Sequence, residues 1–260
     1  MPKIEVGGIA INVRQWGRGD PLVLIHGLGM SSDLWWHQVR PFSDQYHVVA
    51  IDLRGFGRSD RPRGPNLYSV DNFTADIAGV IRCLDLAPVH VLGTSMGGYC
   101  AIALGLSAPE LCRSLSLCHT GCRSSIADDV LAARTTALKS QSMDEYATLV
   151  AAQALAQPAD PIVTEWLQER VASNDQEIYA QVLTEGLRSF DAANEITSIR
   201  LPTLALIGQH DRIIEPKRGR ELAERIPDST LVEIAGVGHL SYIEKPDAFN
   251  RTILEFLAQH

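Results

Sequence analysis

A serine flanked by glycines, Gly93-Thr94-Ser95-Met96-Gly97, follows the apolar stretch Val89-His90-Val91-Leu92 and precedes the apolar stretch Tyr99-Cys100-Ala101-Ile102-Ala103-Leu104. G-x-S-x-G acquires chemical meaning at a strand-to-helix turn, where the glycines permit backbone crowding and the serine is held strained with its hydroxyl exposed. A helix starting just after Ser95 aims its N-terminal N–H groups at the same spot, so the Met96 N–H is expected to stabilise negative charge developing there. A serine hydroxyl is a poor nucleophile near neutral pH and needs a base, plus a carboxylate to orient that base. His239, in Gly236-Val237-Gly238-His239, and Asp211, in Gly208-Gln209-His210-Asp211, supply the pair in the chain order Ser…Asp…His that accompanies such a turn. His210 is a rival base, but the glycines before His239 suit a loop that carries an imidazole back over a sheet. Asp52 is a rival acid, and Arg54 and Arg58 beside it suggest an ion-paired turn. The second oxyanion donor is expected from the loop His26-Gly27-Leu28-Gly29, at the backbone N–H of Leu28, with His26 bracing its own loop. His37, His47, His90 and His260 carry no motif and read as surface or structural.

These residues need elements to position them. Ile4-Glu5-Val6 and the run from Ile9 to Val13 flank Gly7-Gly8, a hairpin that opens the fold with an antiparallel edge. Leu22 to Ile25, Val48 to Ile51, Val89 to Leu92, Leu115 to Cys118, Leu204 to Ile207 and Leu231 to Ile234 read as strands, mostly short apolar runs buried on both faces. Between them fall helical patterns at 69–86, with Ser69 as N-cap, from Met96 to before Pro109, at 216–226 and at 246–258. The alternation predicts an α/β fold with a doubly wound, mostly parallel sheet, whose cleft lies beyond the carboxyl ends of the strands. His26, Ser95, Asp211 and His239 all fall at such ends. From about 121 to 195 only helical patterning is present, which predicts a helical cap inserted into a core formed by 1–120 and 196–260.

The composition excludes several classes of function. At 260 residues, 45% hydrophobic and 21% charged, the chain is an ordinary globular one with room for one large core. A net charge of −8 without a Lys/Arg cluster argues against nucleic acid as partner. No apolar run reaches the ~18 residues of a membrane span, and the start lacks a signal-peptide core, so a cytoplasmic setting is expected. Cys83, Cys100, Cys112, Cys118 and Cys122 are odd in number and suit reduced thiols. Cys112, Cys118, His119 and Cys122 lack the spacing of a metal knuckle, so no metal site is expected. Asn72-Phe73-Thr74 and Asn250-Arg251-Thr252 match the glycosylation pattern by chance.

Taken together, Gly93 to Gly97, His26 to Gly29, Asp52 to Asp60, Gly208 to Asp211 and Gly236 to His239 resemble the α/β-hydrolase superfamily. Within it, Gly93-Thr94-Ser95-Met96-Gly97-Gly98 and the stretch from His239 through Pro246 to Asn250 resemble the 3-oxoadipate enol-lactonase-like and carboxylesterase branch, from which the chain departs at His26-Gly27 and in lacking a tryptophan soon after Arg123. The resemblance implies two-step acyl transfer without a cofactor on a small-molecule carboxylic ester or lactone. Hydrolytic C–C cleavage of a vinylogous diketone, amide or formyl hydrolysis, and a non-turnover ligand receptor are the alternatives. Leu240 stands against C–C cleavage, where that branch is expected to carry an aromatic residue. Arg123, His119 and Trp166 are candidate substrate contacts. Arg123 suits the carboxylate of an acidic lactone, or else pairs with Asp128 or Asp129.

Overall fold

The computed structural model describes residues 3–124 and 128–260, without the side chain of Asp128. The hairpin forms as expected from β1 (Ile4–Val6) and β2 (Ile9–Ile11), turning on Gly7 and Gly8 at φ of 57° and 80°. It is a separate two-stranded sheet, however, and not the edge of the main one. The division falls at Asn12, whose N–H goes to Ser59 Oγ (2.8 Å) and whose side-chain amide goes to Asp52 Oδ2 (2.8 Å). The chain then restarts as β3 (Val13–Trp16), the antiparallel edge of a seven-stranded sheet.

That sheet continues with β4 (Pro21–Ile25), β5 (His47–Ile51), β6 (Val89–Thr94), β7 (Cys112–Cys118), β8 (Thr203–Gly208) and β9 (Ser229–Ile234), in the spatial order β3-β5-β4-β6-β7-β8-β9. All neighbours beyond β3 run parallel. Apolar runs form the inner strands because both faces are covered, whereas the edge strand β9 is largely exposed, Leu231 included. Leu22 and Leu24 of β4 join one buried cluster, with Phe42 of α1 (Trp36–Ser43), while Val23 and Ile25 join the other, with Phe73 and Ile77 of α2 (Val70–Cys83) and Leu104 of α3 (Met96–Ser107). Ser69 caps α2 by accepting from the Asn72 N–H at 3.1 Å.

Between β7 and β8 the described residues contain helices and no named strand: α4 (Asp128–Ser140), α5 (Met143–Ala154), α6 (Pro161–Ala172), α7 (Gln176–Gln181) and wide π-helical turns over Val182–Leu187. A capping box of Ser142 with Glu145 starts α5, and Asp160 followed by Pro161 starts α6. The two ends of the interval meet, since Ser124 N–H bonds Phe190 O (2.8 Å) and Ala192 N–H bonds Cys122 O (2.9 Å) around an isolated bridge of Arg123 with Asp191. The sheet resumes with α8 (Pro216–Arg225) between its last strands, and the chain finishes with α9 (Ser241–Glu244) and α10 (Pro246–Leu257), the last adding Phe249 and Ile253 to the face that holds Phe42.

Candidate active site

Ser95 sits between β6 and α3 at φ 54° and ψ −117°, a conformation that costs a residue with a Cβ and persists only where its surroundings enforce it. Two glycines make the turn possible by close approach. A Cβ on Gly93 would lie 2.1 Å from Gly97 O, and one on Gly97 would lie 2.3 Å from Ile25 O at the end of β4. The Ser95 N–H is spent on Cys118 O (2.9 Å), which ties the turn to β7. Met96 is the first residue of α3, and Leu28 lies in the loop leaving β4, whose Gly27 packs against Ser95. Among the described residues neither the Leu28 N–H nor the Met96 N–H has an acceptor. His26 holds that loop from behind, with Nε2 accepting the Leu53 N–H (3.0 Å) and Nδ1 donating to Gly27 O (2.7 Å). Burial pushes the His26 imidazole below the ordinary histidine range, in keeping with this neutral arrangement.

His239 is aimed by its loop. Its N–H bonds Ala154 O (2.7 Å) at the end of α5, and Gly238 fits between that carbonyl and the next turn, where a Cβ would stand 2.4 Å from Ala154 O. Glu244 gathers the same loop by accepting from the N–H groups of Gly238 (2.9 Å), Leu240 (3.2 Å) and Ala156 (2.9 Å). His239 Nδ1 lies 2.7 Å from Asp211 Oδ2, while Asp211 Oδ1 accepts from the N–H groups of Ile213 and Ile214, both at 2.9 Å. Burial alone would raise the Asp211 carboxyl, but the two histidines beside it, His239 and His119, outweigh burial and hold it well below the usual carboxylate range. An ionised carboxylate only accepts, so His239 carries its proton on Nδ1 and leaves the Nε2 lone pair free to take another.

Ser95, Leu28 and His239 line one cavity of about 550 Å³. Its walls include Val150, Leu167 and Leu183 from the helical interval and Ile213 and Leu240 from the loops carrying Asp211 and His239. Three arginines also face it: Arg134 from α4, Arg212 beside Asp211, and Arg218 from α8. Arg218 shares Glu221 at 3.5 Å. Arg134 bonds only the neutral amide of Gln153 (2.9 Å), and Arg212 bonds the carbonyls of Ala152 (2.6 Å) and Leu155 (3.1 Å), so among the described residues neither has a carboxylate partner. One carboxylate, Glu215, also lines the cavity, so against three arginines its apolar walls carry a net positive charge.

Several expectations need correction. Arg123 does not face the cavity: its guanidinium turns to Glu221 of α8 (2.9 Å), neither to Asp129 nor into the cleft, and the side chain of Asp128 lies outside the described residues. Trp166 is not a cavity residue either, because α6 turns it toward Trp36, 6.4 Å between ring centroids. His119 is buried behind Asp211 and reaches no part of the cavity wall. Among the described residues Asp52 has no ion pair; it accepts from the N–H groups of Ser32 (2.6 Å) and Arg58 (2.9 Å) and from the Asn12 amide, while Arg54 forms a two-pronged bridge with Asp76 (2.6 and 2.7 Å). His210 is exposed and absent from the cavity. The roles of His119 and Glu244 escaped sequence reasoning because nothing local marks them. Their placement comes from strand order, which makes the residue after β7 a neighbour of the loop after β8 and is not written in the sequence.

His119, Asp211 and His239 offer ligand atoms within 4.8 Å of one another, the one such group among the described residues. Both histidines direct Nδ1 at the same carboxylate oxygen, a hydrogen-bonded arrangement that a metal could enter only by displacing two protons. Cys112 and Cys118 stand at opposite ends of β7, which separates them by about 20 Å at the usual rise per residue.

A family model described as alpha/beta hydrolase fold matches residues 20–157 and 172–246. The chain is 28% identical to a 3-oxoadipate enol-lactonase of Acinetobacter baylyi, covering 94% of this chain and 92% of that one. It is 30% identical to a 2-hydroxy-6-oxo-2,4-heptadienoate hydrolase of Pseudomonas putida, covering 98% of this chain and 95% of that one. Among solved structures, an enol-lactonase from Burkholderia xenovorans superposes with a TM-score of 0.92 at 30% identity, over 99% of this chain and all of that one (100%).

Proposed function

The chain belongs to the alpha/beta hydrolase fold family, and on that premise we propose that it hydrolyses a small carboxylic ester or lactone bearing an acid group, through an acyl-serine intermediate. The observation that carries this reading is the strained Ser95 sharing one cavity with His239, whose Nδ1 lies 2.7 Å from Asp211. His239 Nε2 takes the proton as Ser95 Oγ attacks the acyl carbonyl, and Asp211 steadies the resulting imidazolium. The Leu28 and Met96 N–H groups hold the oxyanion. Collapse expels an alkoxide, protonated by His239, and leaves Ser95 acylated; in a lactone that alcohol stays tethered to the acyl chain. A water deprotonated by His239 then attacks the acyl carbon, and the acid departs with the Ser95 hydroxyl restored.

The acid group in the substrate is argued from charge. Arg134 and Arg212 present guanidinium groups that have no carboxylate partner among the described residues at the edge of an apolar cavity, which suits a carboxylate held away from the reacting carbonyl. We read residues 121–195 as a cap that covers this cavity and excludes water, since α4, α5 and α6 contribute to its wall. The five cysteines are free thiols, four of them buried, which supports a reducing, cytoplasmic setting.

The test is steady-state hydrolysis of activated esters and lactones. Ser95→Ala and His239→Ala are each expected to lower kcat by roughly 10⁶-fold, with the double variant hardly worse, because the two groups act as one unit. Full activity in Ser95→Ala would remove the acyl-serine mechanism.

A further inference from the structure

In the sheet, β7 and β8 are neighbours, so the residue after β7 meets the loop after β8. That residue is His119, held at φ 49° with its N–H on Leu206 O (2.8 Å) and its ring buried. Its Nδ1 lies 3.2 Å from Asp211 Oδ2 and its Nε2 lies 2.7 Å from Ser241 Oγ. The His119 and His239 rings stand edge to face at 5.4 Å and share the same carboxylate oxygen.

The proton positions follow from the chemistry of the partners. Asp211 is ionised and only accepts, so His119 Nδ1 is a donor. Burial, the larger influence, holds the His119 ring below the ordinary histidine range although Asp211 pulls the other way, so the ring is neutral and Nε2 accepts the Ser241 hydroxyl. Asp211 thus receives four donors: two backbone N–H groups at Oδ1 and two imidazole N–H groups at Oδ2. Oxygen lone-pair density engaged by His119 is density not offered to His239.

We propose that His119 is a positioning residue that locks the Asp211 carboxylate and weakens its hold on the second proton of His239, keeping His239 available as a base to lower pH. The proposal rests on the acyl-serine reading above. The other titratable groups around the pair are Tyr242 and Glu244 from α9, Tyr99 from α3 with Arg218 beyond it, Cys118 at the end of β7, and, along the cavity that His239 lines, Arg134, Arg212 and Glu215. Burial pushes both tyrosines and the thiol up, so they stay neutral throughout the working range. Glu244 is engaged by the backbone of the His239 loop, and Arg218 by Glu221.

The experiment is the pH profile of kcat/KM for p-nitrophenyl acetate in the wild type, His119→Leu and His119→Asn. Leucine removes the donor, so the acidic limb is expected to move up by about one pH unit, a loss of about tenfold on that limb with little change on the plateau. Asparagine places an N–H near the position of Nδ1 and is expected to restore the limb. An unmoved limb in folded His119→Leu, or an equal loss at every pH, overturns the proposal. A second measurement covers the case in which His119→Leu does not fold: ¹⁵N spectra of histidine-labelled Ser95→Ala protein, which need no turnover. His119 is expected to stay neutral with its proton on Nδ1 from pH 6 to pH 9, and a charged ring or a proton on Nε2 overturns the proposal. Activity surviving in Ser95→Ala sinks the hydrolase reading itself; activity lost there, with an unmoved limb in His119→Leu, sinks only the role of His119.

Discussion

Two arginines of the helical interval, Arg123 and Arg134, end in different electrostatic settings. Arg123 is neutralised by Glu221, whereas Arg134 reaches the cavity with only the Gln153 amide as partner among the described residues. If a substrate carboxylate is bound at the rim, Arg134→Met is expected to raise KM for an anionic ester by about ten- to a hundredfold, the worth of a hydrogen bond to a charged group, and to leave a neutral ester of the same size nearly untouched. Arg123→Met is expected to change neither, and equal effects of Arg134→Met on both esters would argue against an acid-bearing substrate. The candidate site residues were legible at this scale because Ser95, Asp211 and His239 each sit in a short glycine-bearing motif whose order carries meaning. The charged rim was not, since a sequence does not say which arginine finds a carboxylate. His119 shows the same limit: its spacing from the cysteines spoke against a metal site and it stood as a candidate substrate contact, while its actual partner lies 92 positions away.

At the scale of elements, the site depends on loops packed too closely for side chains. Gly238 is pressed against Ala154 O, and a Cβ on Gly208 would lie 2.1 Å from Gly238 O, so the end of β8, the His239 loop and the end of α5 form one stack. Gly238→Ala must push His239 away from α5, at a cost of about 1–3 kcal/mol. A displacement of about 1 Å at the base is expected to lower kcat by about a hundredfold. Gly236→Ala is the control. That residue has φ 68°, but a Cβ there meets only the flexible end of Lys245 at 3.2 Å, so a loss of about 1 kcal/mol in melting experiments with near-normal kcat is expected. Equal kcat losses in the two variants would mean that the stack does not position His239. The strands themselves were readable from their apolar runs. The break at Asn12 was not, because it depends on Ser59 and Asp52, 47 and 40 positions further along the chain.

Over the whole molecule, the alternation of apolar runs with helical patterns led to the parallel sheet, and the residues at its strand ends led to the cleft. Strand order was not readable, since it comes from long-range pairing, and with it went the adjacency of β6, β7 and β8 that gathers Ser95, His119 and Asp211. The central claim is that this assembly passes an acyl group through Ser95, and intact mass spectrometry tests it most directly. Protein quenched in acid within the first turnovers on a slow activated ester is expected to gain the mass of one acyl group, mapped by peptide digestion to Ser95, and Ser95→Ala is expected to gain none. Wild-type protein that turns over the ester with no acyl adduct under conditions where deacylation limits the rate, or an adduct that persists in Ser95→Ala, would contradict the account.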